Sequence, residues 1–343
     1  LPKPFKIGVN PYREKREVIE EDIDEEIDMY EEDKKMFDEL TNNVNLQVDY
    51  WKIYPCQVVV YSALQKEFDD GVYKPYGQQT REDLKMKRIN KLHEILIYAT
   101  TKINPYVRLE RCGRDHNRDH ILGGNLDVSI RQTVQNIMKN RDLICKCIRC
   151  REIKKQNINP ETAKIKIRKY EASGGIEYFI SFETEDEKTI FGFVRLRLTK
   201  YAGMTKSHID GCDPNIMTFP ELVNCAMIRE LHVYGQTTSV NRTNKSANCQ
   251  HIGFGKKLVE KAFDIAQQNG YQKIAVIAGV GVKEYYKQKF GFEDEGENGY
   301  LIKHFDGQVD KQFNKQEYKI FYILCYIFCV ILMIIMKKLI FNI

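Results

Sequence analysis

Residues 250–270 read QHIGFGKKLVEKAFDIAQQNG, a glycine pair directly ahead of an amphipathic run. Glycine tolerates positive φ and lets a ligand approach the backbone, so Gly253 and Gly255 can present consecutive amide N–H groups as a nest. Leu258, Val259, Ala262, Phe263 and Ala266 recur at helical spacing and predict a helix whose positive end points at that nest. A pyrophosphate suits such a place. The glycines alone fit an ordinary turn equally well, so the neighbouring segments have to decide.

Immediately upstream, CAMIRELHVYG (225–235) reads as a strand running up to an Asn/Ser/Thr-rich loop. Downstream come a strand in KIAVIAG, a helix in VKEYYKQKF and a last strand near GYLIKHF. Further back, AKIKIRKYEA alternates apolar and basic residues, and GGIEYFISFE and KTIFGFVRLRL follow as strands across a short acidic turn. Antiparallel strands followed by β, α, β, α, β predict an α/β (α+β) fold, one mixed sheet with flanking helices over 163–305. Residues 56–162 differ in character. They carry a short extended run at 57–61, helical periodicity at 81–101, a strand in NPYVRLER and a second helix in SIRQTVQNIMKN. A helix is also expected near 33–40.

The net charge is only +5, yet it is unevenly distributed. Ten of the fourteen residues from Glu20 to Asp33 are acidic, as in a solvated loop. Between Arg81 and Lys169 there are 22 Lys or Arg against 10 Asp or Glu, which fits a polyanion partner or a basic solvated face. Residues 320–336 (IFYILCYIFCVILMIIM) carry no charge, are apolar all round, and precede Lys337 and Lys338. Seventeen residues are at the short end of a membrane span, so a tail anchor with the remainder facing the cytosol is expected; a buried core helix is the alternative. The flanking lysines lean toward the mitochondrial outer membrane, with the endoplasmic reticulum or the cytoplasm as alternatives. No signal peptide is visible, and the cysteines do not form an even extracellular framework. Cys145, Cys147 and Cys150 crowd into C-x-C-x-x-C, three soft ligands where zinc takes four; a zinc loop and buried thiols both fit.

The set of IRELHVYG (228–235), Gln250-x-x-Gly253-x-Gly255 and YYKQKFGF resembles the GNAT acetyltransferase superfamily. That resemblance implies acetyl-CoA as substrate, with phosphates on the amides from Gly253 through Phe254 and Gly255 to Lys256. It implies pantetheine along the exposed backbone of Glu230, Leu231, His232 and Val233. A tyrosine before the Gly-Phe pair would act as general acid at the thioester sulfur. Tyr286 is assigned that role, although the spacing is one residue longer than the commonest form, so Tyr285 stays open. Glu230 and His232 project to one face of their strand, and either could deprotonate a nucleophile.

Together with KIYP (52–55), GVYKPY (71–76) and CKCIRCREI (145–153), these segments stand in the order seen in the elongator complex protein 3 family, from about Lys52 to Lys303. The resemblance implies a radical S-adenosylmethionine domain joined to a GNAT domain, tRNA binding, zinc at the cysteine loop, and acetyl-CoA-dependent carboxymethyl-type modification of wobble uridine. Other Elongator subunits are implied partners. The domain reading is then 1–55, the end of the radical domain with an acidic insert; 56–162, the basic accessory region; 163–305, the GNAT domain; 306–319, a linker; and 320–336, the anchor. No cysteine triad for a [4Fe-4S] cluster precedes Cys56, so cluster and S-adenosylmethionine are expected only in a longer protein. Arg111 and Cys112, followed by GRDHNRDH, also depart from the family pattern. A lysine (histone) acetyltransferase and a non-catalytic, membrane-tethered tRNA-binding scaffold are the competing readings. A preference for tRNA over a lysine peptide, or no acetyl-CoA binding at all, separates the three.

Overall fold

The computed structural model describes residues 28–154, 158–204, 218–235 and 253–305. Gln250, the apolar segment 320–336 and most of the acidic run lie outside these residues. Among the described residues no helix is long and apolar enough to cross a membrane.

The N-terminal body begins with α1 (Met29–Asn42), capped by the Asp28 carboxylate, which accepts from the Tyr30 amide. It continues through β1 (Tyr50–Ile53), β2 (Val58–Val59), α2 (Ala63–Asp69), α3 (Arg81–Lys85), α4 (Lys91–Lys102), β3 (Arg108–Cys112), β4 (Ile121–Gly123), α5 (Ile130–Asn140) and α6 (Ile148–Arg151). The single helix expected over 81–101 is two. Lys87 takes φ +51°, which ends the first, and Asn90 and His93 form a capping box that starts the second. β1 pairs in parallel with β3, joining residues on both sides of position 55.

The C-terminal body is a seven-stranded sheet in the order β10-β11-β9-β8-β7-β6-β5. Its strands are β5 (Lys164–Ala172), β6 (Gly175–Glu183), β7 (Ile190–Leu198), β8 (Cys225–Val233), β9 (Lys273–Ile277), β10 (Glu293–Asp294) and β11 (Tyr300–His304). Helices α7 (Phe254–Gln268) and α8 (Val280–Phe290) complete it. β5 to β8 run antiparallel as expected, β8 and β9 are parallel, and only the two-residue β10 was not anticipated.

The strict alternation of β6 divides the protein into two cores. Tyr178, Ile180 and Phe182 face α7 and α8, packing with Leu258, Val259, Ala262 and Phe290. Phe179 turns the other way and, with Ile190 and Phe193, joins Phe37, Trp51, Leu96 and Leu109 of the N-terminal body. On that second face β6 also places Glu177 and Glu183. Both are buried and ion-paired: Glu183 with Arg151 and Arg168, Glu177 with Arg197 and Arg229. Burial of unpaired carboxylates would cost several kcal/mol, so these arginines are what allow a charged sheet face to be covered.

Candidate active site where β8 leaves the sheet

β8 pairs with β9 only from Cys225 to Ile228. Beyond Ile228 no β9 partner follows, so the β9-facing backbone edge of residues 229–233 is open at the point where the two strands part. A bulge lies at the same point: Arg195 is opposite Glu230 and Leu196 is opposite Ile228, leaving Arg229 as the extra residue. A bulge sharpens the local twist and re-aims side chains. Arg229 and Glu230 accordingly both turn toward the N-terminal body, where they meet Asp49 and Tyr50.

α7 starts beside this opening. Gly253 is its N-cap in the left-handed region, φ +76°, with no heavy atom of the described residues within 4 Å of where a Cβ would lie. Glycine is therefore favoured for conformation and leaves open space beside the first amides. At Gly255 the reason is different, since a Cβ would stand 3.1 Å from Tyr285 Oη and 3.5 Å from Val233 Cγ2. These three residues thus bring β8, α7 and α8 together at one place. Phe254 points inward and stacks on Phe182 with ring centroids 4.3 Å apart, while Lys256 reaches Glu260 on the helix surface.

The two tyrosines of α8 have different surroundings. Tyr286 is only 6% exposed, in the core with Phe290 and Phe292, and burial followed by Tyr285 pushes its hydroxyl up to about 12. Tyr285 is 37% exposed and carries the hydroxyl that faces Gly255. The tyrosine at the mouth of the site is therefore Tyr285, whereas Tyr286, assigned the acid role from the sequence, packs in the core. Successive helical residues point about 100° apart, so only one of the pair can face the opening.

Glu230 is held on both oxygens. Oε2 accepts from Arg195 Nε at 2.9 Å and Oε1 from Tyr50 Oη at 2.7 Å. His232 Nε2 lies 3.6 Å from the same Oε1, and the half-exposed imidazole stacks against Tyr234. Arg195 is 1% exposed, its guanidinium 5.2 Å from the Phe179 ring and 5.3 Å from that of Phe193. It also bonds the Tyr106 carbonyl and lies 3.1 Å from Asp49. Burial would raise Asp49, but hydrogen bonds from Arg229 and the charge of Arg195 hold it below the ordinary carboxylate value. Sequence reasoning missed Asp49, Tyr50 and Arg195. Only the last left a signal, as the charged positions alternating with Val194, Leu196 and Leu198.

Forty or so residues along the chain from Tyr106, the sulfurs of Cys145, Cys147 and Cys150 all lie within 4.8 Å of one another. Three thiolates on one zinc, each about 2.3 Å from it, would be about 3.8 Å apart, so the cluster fits that ion with little movement. It is the one group of three or more potential ligands among the described residues. Arg131 lies 3.8 Å from Cys147 Sγ and 3.7 Å from Cys150 Sγ, and Gln135 donates to Cys150 at 3.2 Å. Hydrogen bonds from Cys145 and Cys147, then Arg131, push the Cys150 thiol well below the ordinary cysteine value. No second ligand set for an iron–sulfur cluster is present among the described residues.

The N-terminal body and the split sheet together define the class. Residues 48–140 match the Radical_SAM C-terminal domain, and the sheet that follows has the arrangement expected of an acetyltransferase fold. The particular family follows from sequence relatives: the chain belongs to the family of elongator complex protein 3. It is 35% identical over 80% of its length to the tRNA uridine(34) acetyltransferase of Methanocaldococcus jannaschii, covering 47% of that protein. To Elongator complex protein 3 of Drosophila melanogaster it is 32% identical over 78% of its length, covering 45% of that protein. The archaeal Methanocaldococcus infernus Elp3 with an N-terminal deletion superposes with a TM-score of 0.63 at 33% identity, over 80% of this chain and 60% of that one. The chain thus spans about half the length of the curated relatives it matches.

Proposed function

We propose that this chain is the acetyl-CoA- and tRNA-binding part of an Elongator-type tRNA wobble-uridine acetyltransferase. The observation that carries the proposal is the coincidence, at one opening, of the β9-facing backbone edge of residues 229–233, the glycine-started helix α7 and the Tyr285 hydroxyl. Pantetheine would pair with the free edge of β8, while the amides from Gly253 to Lys256 receive the pyrophosphate, favoured by the α7 dipole. Tyr285 would donate a proton to the leaving thiolate, and its elevated affinity for that proton, caused by burial, keeps it a donor at neutral pH.

His232 takes the proton from the attacking group. Glu230, with both oxygens engaged, orients the imidazole and balances the charge that develops on it. Cys145, Cys147 and Cys150 would hold zinc, which fixes the α5–α6 region; a tightly bound metal contributes to folding there. On the side of α5 away from Arg131 and Gln135, a groove of about 710 Å³ is walled by Lys87, Arg88, Asn136, Lys139 and Asn140 together with Asp83 and Asp127, and its cations and amides would meet a phosphate backbone. A [4Fe-4S] cluster and S-adenosylmethionine would belong to a longer protein, since among the described residues Cys145, Cys147 and Cys150 are the one such ligand set.

The test is acetyl-CoA turnover by the purified protein with bulk tRNA or with a lysine peptide. Stimulation by tRNA and not by peptide is expected. The opposite preference supports a lysine acetyltransferase, and a folded sample without acetyl-CoA binding supports a scaffold.

A further inference from the structure

Two consecutive residues of the N-terminal body reach across to the acyltransfer strand. Asp49 takes Arg229 at 2.8 Å and Arg195 at 3.1 Å, the two guanidinium groups flanking the β8 bulge. Tyr50 Oη donates to Glu230 Oε1 at 2.7 Å, on the oxygen that also faces His232. The remaining oxygen of Glu230 belongs to Arg195. Without Tyr50, the carboxylate would be fixed on one side only and could rotate about its contact with the arginine, losing the oxygen position that His232 faces.

We propose that Tyr50 is a positioning residue for the acyltransfer site, supplied by the radical-domain side of the chain, which fixes Glu230 toward His232. It rests on the assignment of Glu230 and His232 made above. Tyr50 sits at the start of β1, whose register is fixed by Arg108 opposite it. Arg108, on β3, in turn pairs with Glu152 and bonds the hydroxyl of Tyr234 at 3.2 Å, so the neighbour strand of β1 is tied to the residue that follows β8. Burial, then the bond to Glu230, pushes the Tyr50 hydroxyl up to about 12, which keeps it a donor across the working range. The groups facing Glu230 are therefore Arg195, Tyr50 and His232, and only Tyr50 comes from the other body.

The consequence is specific. Tyr50 reaches the site through the Glu230 carboxylate and not through the backbone edge of β8 or the amides of α7, so its loss should affect turnover and not acetyl-CoA binding. Tyr50→Phe, assayed with acetyl-CoA and bulk tRNA, is expected to lower kcat about tenfold, the usual weight of one hydrogen bond to a charged group, at unchanged KM. On a Glu230→Gln background the same substitution should add nothing, since its partner is already altered. Equal losses from Tyr50→Phe on both backgrounds, or a matching rise in KM, would mean a general structural effect and overturn the proposal. Full activity of Tyr50→Phe beside an impaired Glu230→Gln overturns it while leaving the Glu230 assignment standing. Full activity of both Glu230→Gln and His232→Ala removes that assignment and the proposal with it. Thermal midpoints of all variants, measured alongside, identify any change that comes from unfolding.

Discussion

Arg195 Nε lies 2.9 Å from Glu230 Oε2, with the guanidinium enclosed between Phe179 and Phe193 and hardly any of it open to water. A cation so placed is tolerable only because Glu230, Asp49 and the Tyr106 carbonyl surround it. The pairing joins stability to function, since the arginine that fixes the site carboxylate also locks the two bodies together.

Replacing Arg195 by Ala should therefore destabilise the protein by about 3–5 kcal/mol, because the partly buried Glu230 loses its cation and Asp49 keeps only Arg229. Lysine should restore only part of this, as one ammonium cannot reproduce the planar fork that serves three acceptors. Urea denaturation of the three proteins measures both effects.

Gly253→Ala should cost about 1–2 kcal/mol through its positive φ, with no clash against the described residues, none of which stands within 4 Å of the new Cβ. Gly253→Val should in addition weaken acetyl-CoA binding by covering the first amides of α7. Calorimetric titration with acetyl-CoA checks this, and an unaltered affinity for the valine variant removes the phosphate nest.

The two α8 tyrosines should separate by phenotype. Tyr285→Phe is expected to reduce kcat by 10²- to 10⁴-fold, roughly the contribution of a general acid, with little change in thermal midpoint. Tyr286→Phe should leave turnover nearly intact, because its ring packs in the core. A reversed pattern would return the acid role to Tyr286.

Cys147→Ser should lower bound zinc to well below one equivalent by elemental analysis, and a chelator should lower the thermal midpoint of the unmodified protein but not of the variant. Stoichiometric zinc in the serine variant would exclude this cluster as the site.

Acid should weaken the junction between the bodies. Asp49 is held below its unfolded value, so the stability it contributes is present above about pH 3.9 and is lost as pH falls through its folded value. Asp49→Asn should be less stable near neutrality, and the gap to the unmodified protein should narrow below about pH 3.9. Thermal midpoints from pH 6 to pH 2.5 test the sign.

By itself the sequence determined the succession along the chain of β5 to β9, β11 and the two helices between them, the glycine start of α7 and the cysteine cluster. All of these are local patterns: strand alternation in KIKIRKYEA and FGFVRLRL, helical spacing after Gly255, ligand spacing within six residues. Only the tertiary structure decided what surrounds Glu230. Tyr50 and Asp49 meet their β8 partners from 180 positions away, and neither charge nor periodicity at 49–50 points there. It also decided which of Tyr285 and Tyr286 faces Gly255, because one extra residue before Gly291 leaves the rotation of α8 undetermined until Phe290 and Phe292 are packed. Spacing along a chain specifies which face a side chain shares with its neighbours; which distant group it meets is set by how the faces are brought together.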